Sequence, residues 1–311
     1  YSMNENDPEF TREILRKVRQ IEIRANRLVS EVFAGSYHSA FKGQGIDFEE
    51  IREYQPGDEV RSIDWNVTAK TGLPFVKQYR EERELTILLV VDISQSTSYG
   101  SVHHSKREKL AELAALLAFS ANRNGDKVGL LLVSDQAELF LPPTKGQKHV
   151  LRILREVLFR PSVGKGTNLN EGLRIANQVM KRRAVVFLLS DFIIPEHGSE
   201  EESNTKIFLD QMASTRRKHD LICARVHDPV ERKFPAVGLV EMEDSESGEK
   251  FTIDTSDQSI QSQYENSFTR QEEEFSRDLK KRGIDIFSFA TDSDYSKELY
   301  SFFKMREKRR R

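Results

Sequence analysis

The chain has 311 residues, 37% hydrophobic and 32% charged, which allows one large domain or two small ones with a buried core under a polar surface. Lysine and arginine number 48 against 50 aspartates and glutamates, a formal net charge of −2, which excludes the net basic character of a general nucleic-acid binder. The single cysteine, Cys223, excludes an internal disulfide and a thiolate metal cage, reads as a small core residue and fits a reducing cytoplasm.

Residues 8–33 place Ile14, Val18, Ile21, Leu28 and Val32 at helical spacing behind Pro8, which predicts one amphipathic helix ended by Gly35. From 41 to 80 the chain is rich in glycine, proline, turn pairs and charge, with β-like pieces around Pro74 to Tyr79. Phe48, Tyr54, Ile63, Trp65 and Phe75 call for burial there, so the stretch reads as a small β-containing module and not a linker. Two units are expected: 1–83, an N-terminal helix with this module, and 84–311, an α/β domain.

From 84 onward strand and helix alternate. Strands are expected at 85–91, 127–133, near 137–141, and at 184–190, 220–226 and 284–290. Helices are expected at 105–122, 146–159, 169–181, 204–218, 258–282 (stopped by Gly283) and 295–305. A hairpin is expected over 239–254, with Ser247-Gly248 at its tip. The alternation predicts βαβ units in a doubly wound, mostly parallel, Rossmann-like sheet. No apolar run is long enough to span a bilayer, and the first residues carry no signal-peptide core.

The run LTILLVV (85–91) carries no charge, as in a strand covered on both faces, and then gives way to Asp92-x-Ser94-x-Ser96. Those oxygens belong in a loop at the carboxyl end of the strand, where open α/β sheets bind ligands. Strand 184–190 likewise ends at Asp191, and the loop VGKGTNLNEG places Thr167 at a helix start. If the two strands are neighbours, Asp92, Ser94, Ser96, Thr167 and Asp191 share one crevice. Hard oxygen donors without histidine or cysteine suit Mg²⁺, or Mn²⁺ or Ca²⁺. Such an ion, incompletely enclosed, would attract a carboxylate from a protein partner. The competing reading has Ser94 and Ser96 capping a helix and Asp191 serving a turn. Gly164-Lys165-Gly166-Thr167 lacks the spacing of a phosphate loop, and His103-His104 reads as a solvated loop with a second reading as extra ligands or a base.

The five oxygen residues, in this order, resemble the metal-ion-dependent adhesion site of von Willebrand factor A domains. Upstream, Gly43-x-Gly45-x-Asp47-Phe48-x-Glu50-x-Arg52-x-Tyr54-x-x-Gly57-Asp58-x-x-Arg61-x-Ile63-Asp64-Trp65, extended by Glu82-Arg83, resembles the hallmark of a bacterial family known as domain of unknown function fifty-eight. The resemblance implies a von Willebrand A-like domain and a partnership with MoxR-type AAA+ ATPases in assembly or maturation of protein complexes. The upstream ion pairs are expected to clamp the module to the sheet domain or to form a docking face. The expectation is therefore a cytoplasmic, non-enzymatic, metal-dependent protein-interaction module that engages neither nucleic acid nor membrane. The alternatives are a phosphatase-like hydrolase using a Mg²⁺-bound water, with His104 or Asp92 moving the proton, and a scaffold binding through residues 41–83.

Overall fold

The structure, a computed structural model, describes residues 8–30, 34–41, 46–81, 84–101, 104–164, 166–193, 201–233, 235–243 and 250–310. Its centre is a six-stranded sheet of β3 (Thr86–Asp92), β4 (Lys127–Val133), β5 (Ala137–Thr144), β6 (Val185–Ser190), β7 (Asp220–His227) and β10 (Asp285–Ala290). The spatial order is β10-β7-β6-β3-β4-β5, all parallel except β5, which runs antiparallel to β4 at one edge. This is the doubly wound order, with its switch point between β3 and β6, so the expected mostly parallel α/β architecture is the one found.

Strand periodicity assigns the two faces. Ile87, Leu89 and Val91 of β3 pack with α1 (Pro8–Leu28), α2 (Ala34–Phe41), α4 (Lys106–Arg123), α5 (Gln147–Phe159) and α10 (Ser296–Arg310). Leu88 and Val90 pack with α6 (Leu169–Val179), α7 (Glu201–Lys218) and α9 (Gln258–Lys281). Burial on both faces explains the uninterrupted apolar run. Each such Leu, Ile or Val contributes about 1.5–3 kcal/mol. Cys223 lies in the second cluster, where burial raises its thiol well above the usual range. The edge strand β5 carries Pro142 and Pro143, and Gly129 of β4 lies against the Pro143 ring, leaving no room for a Cβ there.

The N-terminal region departs from expectation. The helix predicted over 8–33 ends as α1 at Leu28 and continues in a π-helical turn at 29–30, and Gly35 lies inside a second helix, α2. Tyr37, Ala40 and Phe41 are buried against the sheet domain, and this burial carries the chain past the glycine. Tyr37 donates its hydroxyl to Asp126 Oδ2 at 2.9 Å, and Asp126 Oδ1 accepts the Leu85 N–H at 2.8 Å. Lys17 pairs with Glu108, and Arg24 with Glu112 at 3.2 Å. Helices α1 and α2 thus share one core with residues after 84.

Residues 46–81 form a separate antiparallel pair, β1 (Ile46–Glu53) and β2 (Phe75–Glu81), with α3 (Trp65–Thr71) between them. Asp64 caps α3, accepting from the Asn66 and Val67 N–H groups. Arg52 grips Asp58 at 2.8 and 2.7 Å, and Lys77 pairs with Asp64 at 3.2 Å. Among the described residues these ion pairs lie inside the module, where either a clamp onto the sheet domain or a docking face was expected. Trp65, expected to be buried, is 66% exposed, and Tyr54, Ile63 and Phe75 are half-buried. The side chains of Asp47, Phe48 and Glu50, and Glu82-Arg83, lie outside the described residues.

The hairpin is β8 (Leu239–Glu243) with β9 (Lys250–Asp254), its tip outside the described residues. A one-turn helix, α8 (Pro229–Arg232), follows β7. Among the described residues no helix is long and apolar enough to cross a membrane.

Candidate functional site

The candidate site sits at the switch point, where β3 and β6 end side by side. Their register pairs Val91 with Leu189, so Asp92 and Ser190 emerge level with each other. The Ser190 hydroxyl donates to Asp92 Oδ2 at 2.6 Å, and the Ser94 N–H donates to Asp92 Oδ1 at 2.8 Å. The Ser94 and Ser96 hydroxyls face each other at 3.1 Å. Ser94 precedes a short 3-10 turn over Gln95–Ser98 but makes no side-chain cap, so the helix-capping reading of the motif fails. Asp92, Ser94 and Asp191 are all buried.

Burial first, and then the neighbouring Asp191 carboxylate, pushes Asp92 up to about 6; hydrogen bonds from Ser190 and Ser94 offset part of this. Two carboxylates therefore crowd one apolar strand end. Asp191 Oδ1 accepts the Ile193 N–H at 3.1 Å, a local turn, while its Oδ2 accepts the Lys106 ammonium at 2.7 Å. Phe192 follows with φ of 55°, a left-handed conformation that side chains other than glycine rarely adopt. Its N–H donates to the Ser190 hydroxyl at 2.9 Å, which holds that turn at the site.

Thr167 is half-buried just before α6 and belongs to the same end of the sheet. Its neighbour Asn168 donates its N–H to the Ser134 carbonyl at 2.6 Å and caps α6 through its side chain. Ser134 directly follows Val133, which pairs with Asp92 in the β3–β4 register. Glu138 fixes the rest of the loop, accepting from Ser134 Oγ at 2.7 Å, Val163 N–H at 3.0 Å and Gly164 N–H at 2.9 Å. At Gly164 a Cβ would lie 1.8 Å from Asp135 Oδ1 and 2.4 Å from Ser134 Oγ, so a side chain there would displace both groups.

Several residues that shape the site have no signature in the sequence reading. Lys106, 1% exposed at its side chain, bridges Asp191 and Glu231 Oε1, the latter at 2.5 Å. Burial would lower the ammonium's pKa, but the two carboxylates outweigh it and hold it above its ordinary range. The available signal was its position, a lysine in the first turn of a helix, where the macrodipole disfavours a cation. Arg107 beside it is explained differently: it donates to the Val157 and Arg160 carbonyls at the C-terminal end of α5. Buried Asp228 accepts from Ser101 N–H at 2.8 Å, from the Ser101 hydroxyl, from Val230 N–H at 3.1 Å and from Thr291 Oγ1 at 2.9 Å. It thereby ties the loop after Ser96 to α8 and the end of β10. Arg225 Nε donates to the Asp191 carbonyl at 3.2 Å.

His104 pairs with Glu108 at 3.1 Å, and Glu108 also receives Lys17 of α1. His103 and Lys165 lie outside the described residues. Among the described residues no cluster of three or more His, Cys, Asp or Glu is placed to hold a metal ion, so any ion here would depend on hydroxyls beside Asp92 and Asp191. The donor chemistry fits a hard divalent cation. Each oxygen of Asp92 keeps an acceptor lone pair beyond the hydrogen bond described, and crowded carboxylates favour added positive charge.

The chain is similar to the uncharacterized protein Mb1516 of Mycobacterium bovis, with 27% identity over 295 residues covering 94% of this chain and 89% of the relative. The structure of BatB from Bacteroides thetaiotaomicron aligns with 17% identity and a TM-score of 0.46, over 72% of this chain and 99% of that one. The SpRpn10 VWA domain aligns with 10% identity and a TM-score of 0.41, over 71% and 95%. A family model matches residues 50–274, which cover the upstream motif from Glu50 and most of the sheet domain, and the chain belongs to the family described as Protein of unknown function DUF58.

Proposed function

We propose that this chain is a protein-interaction module of the von Willebrand factor A-like type. Asp92, Ser94, Ser96, Thr167 and Asp191 would hold Mg²⁺ or a similar cation, which supplies an electrostatic anchor for a partner's carboxylate. The partner system we favour is a MoxR-type AAA+ ATPase, with the complex serving assembly or maturation of other proteins in the cytoplasm. The observation that carries this reading is the burial of Asp92 and Asp191 together at neighbouring strand ends, with the Ser94 and Ser96 hydroxyls beside Asp92. We favour binding over catalysis: of the two proton-transfer candidates of the hydrolase alternative, His104 is engaged with Glu108, and Asp92 belongs to the proposed ligand set.

The test is a melting titration. Adding Mn²⁺ or Mg²⁺ should stabilise the protein, by about 2.7 kcal/mol at a hundred times the dissociation constant. Asp92→Ala should lose that response. Equal shifts for both proteins remove the metal. Capture of an ATPase partner that is insensitive to chelator and to Asp92→Ala, but abolished by Arg52→Ala, would move the interaction to residues 46–81.

A further inference from the structure

We propose that Lys106 is an internal cation that competes with the divalent ion for Asp191, and that Glu231 is the carboxylate to which its ammonium withdraws when the ion binds. The inference rests on the metal reading above and adds what regulates that site. The Lys106 ammonium lies 2.7 Å from Asp191 Oδ2 and 2.5 Å from Glu231 Oε1. Lys106 and Asp191 are each 1% exposed at their side chains, whereas Glu231 is 20% exposed. The inner carboxylate is thus shared between the site and the lysine, and the outer one lies outside the ligand set, holding the lysine on Oε1 and the α8 cap on Oε2.

Charge makes the exchange feasible. Asp92, Asp191 and Glu231 place three carboxylates beside the Lys106 ammonium and the Arg225 guanidinium, so a divalent ion added at the inner pair leaves Glu231 to neutralise Lys106. Glu231 is already oriented for this, because its Oε2 accepts the Asp228 N–H at 2.8 Å in the box that caps α8. Asp228 in turn holds Ser101, in the loop that follows Ser96. Ion binding would therefore tighten the start of α4 against α8 while leaving the loop in place. A lysine on a helix N-terminus gains nothing from the dipole, so its position is explained by these carboxylates.

Two substitutions outside the ligand set should move affinity in opposite directions. Lys106→Gln removes the competitor, and the Mn²⁺ concentration giving half the melting shift should fall about tenfold or more. Glu231→Gln leaves the ammonium only Asp191, and that concentration should rise at least about threefold. Lys106→Arg should restore a value close to wild type. Arg225→Gln removes a nearby cation that donates to the Asp191 carbonyl and lies over the Phe268 ring, and should change the value less than Lys106→Gln does. If Lys106→Gln folds only with Mn²⁺ present, that rescue supports the competition. Wild type and Lys106→Gln responding at the same concentration would overturn this inference and leave the metal reading intact. No response from either protein overturns both. Equal effects of Lys106→Gln and Arg225→Gln would reduce the result to general charge and overturn the specific role of Lys106.

Discussion

Asp92 sets the energetics of the site because it is an acid held where its charge is least welcome. Its folded-state value, about 6, lies above the ordinary 3.8, so protonation favours the folded chain. The associated stability is complete below about pH 3.8 and is lost as pH rises through about 6. In chelator, Asp92→Asn should therefore melt higher than wild type at pH 7.5, by on the order of 2 kcal/mol, and match it near pH 4. Urea melts at the two pH values check this; equal gaps at both would refute the crowding of Asp92 by Asp191. Asparagine can keep both hydrogen bonds, its oxygen accepting from Ser94 and its amide donating to Ser190. Asp92, Ser94 and Asp191 were legible because an apolar run that stops on an oxygen residue marks a strand end. Ser190 and Glu231 were not, since what makes them matter is a neighbour far away in the chain. Thr167 is carried to the same end of the sheet by the Asn168–Ser134 bond, a contact between segments more than thirty residues apart.

At the level of elements, close approach decides more than propensity. Helix α6 reaches the sheet at Gly172, where a Cβ would meet Val133 at 2.9 Å and Val90 at 3.3 Å. Gly172→Ala should gain helix propensity yet lose about 1–3 kcal/mol through overpacking. It should also displace the Thr167 loop, and so weaken the response to Mn²⁺ more than the lost stability alone explains. Paired melts with and without Mn²⁺ read both effects. The strands and the long helices were recognisable from period and length. Helix α2 was not, because its eight residues contain a glycine that reads as a stop, and only tertiary burial of Tyr37 and Phe41 outweighs it. The upstream motif was recognisable as a pattern, but its physical role was not: Arg52 and Asp58 are close in sequence, and a local turn uses them as readily as a distant domain would.

In the whole molecule, α1 and α2 are part of the sheet domain's core. Phe41 stacks edge-on against Phe187 of β6 at 6.0 Å and against Phe303 of α10 at 5.7 Å. Phe41→Ala should cost about 3–5 kcal/mol and lower one cooperative transition, not create a second. Tyr37→Phe should cost about 1.5–3 kcal/mol, because it removes the only phenol donor described on the Asp126 carboxylate. Calorimetry distinguishes a single transition from two. Separate melting of an N-terminal unit would contradict the shared core.

The outer strand β5 has a consequence for how this protein meets others. Pro142 and Pro143 supply no amide hydrogens, so that border of the sheet is a poor template for an incoming chain. Gly129 lies beneath the second ring, where the β4–β5 register shifts and the two prolines together oppose this one glycine. The molecule is thus shielded along this margin from fibril-like stacking, even when crowded. The recognition proposed above would instead use side-chain chemistry on the crest of the sheet, which can be switched on and off, whereas a zippered backbone could not.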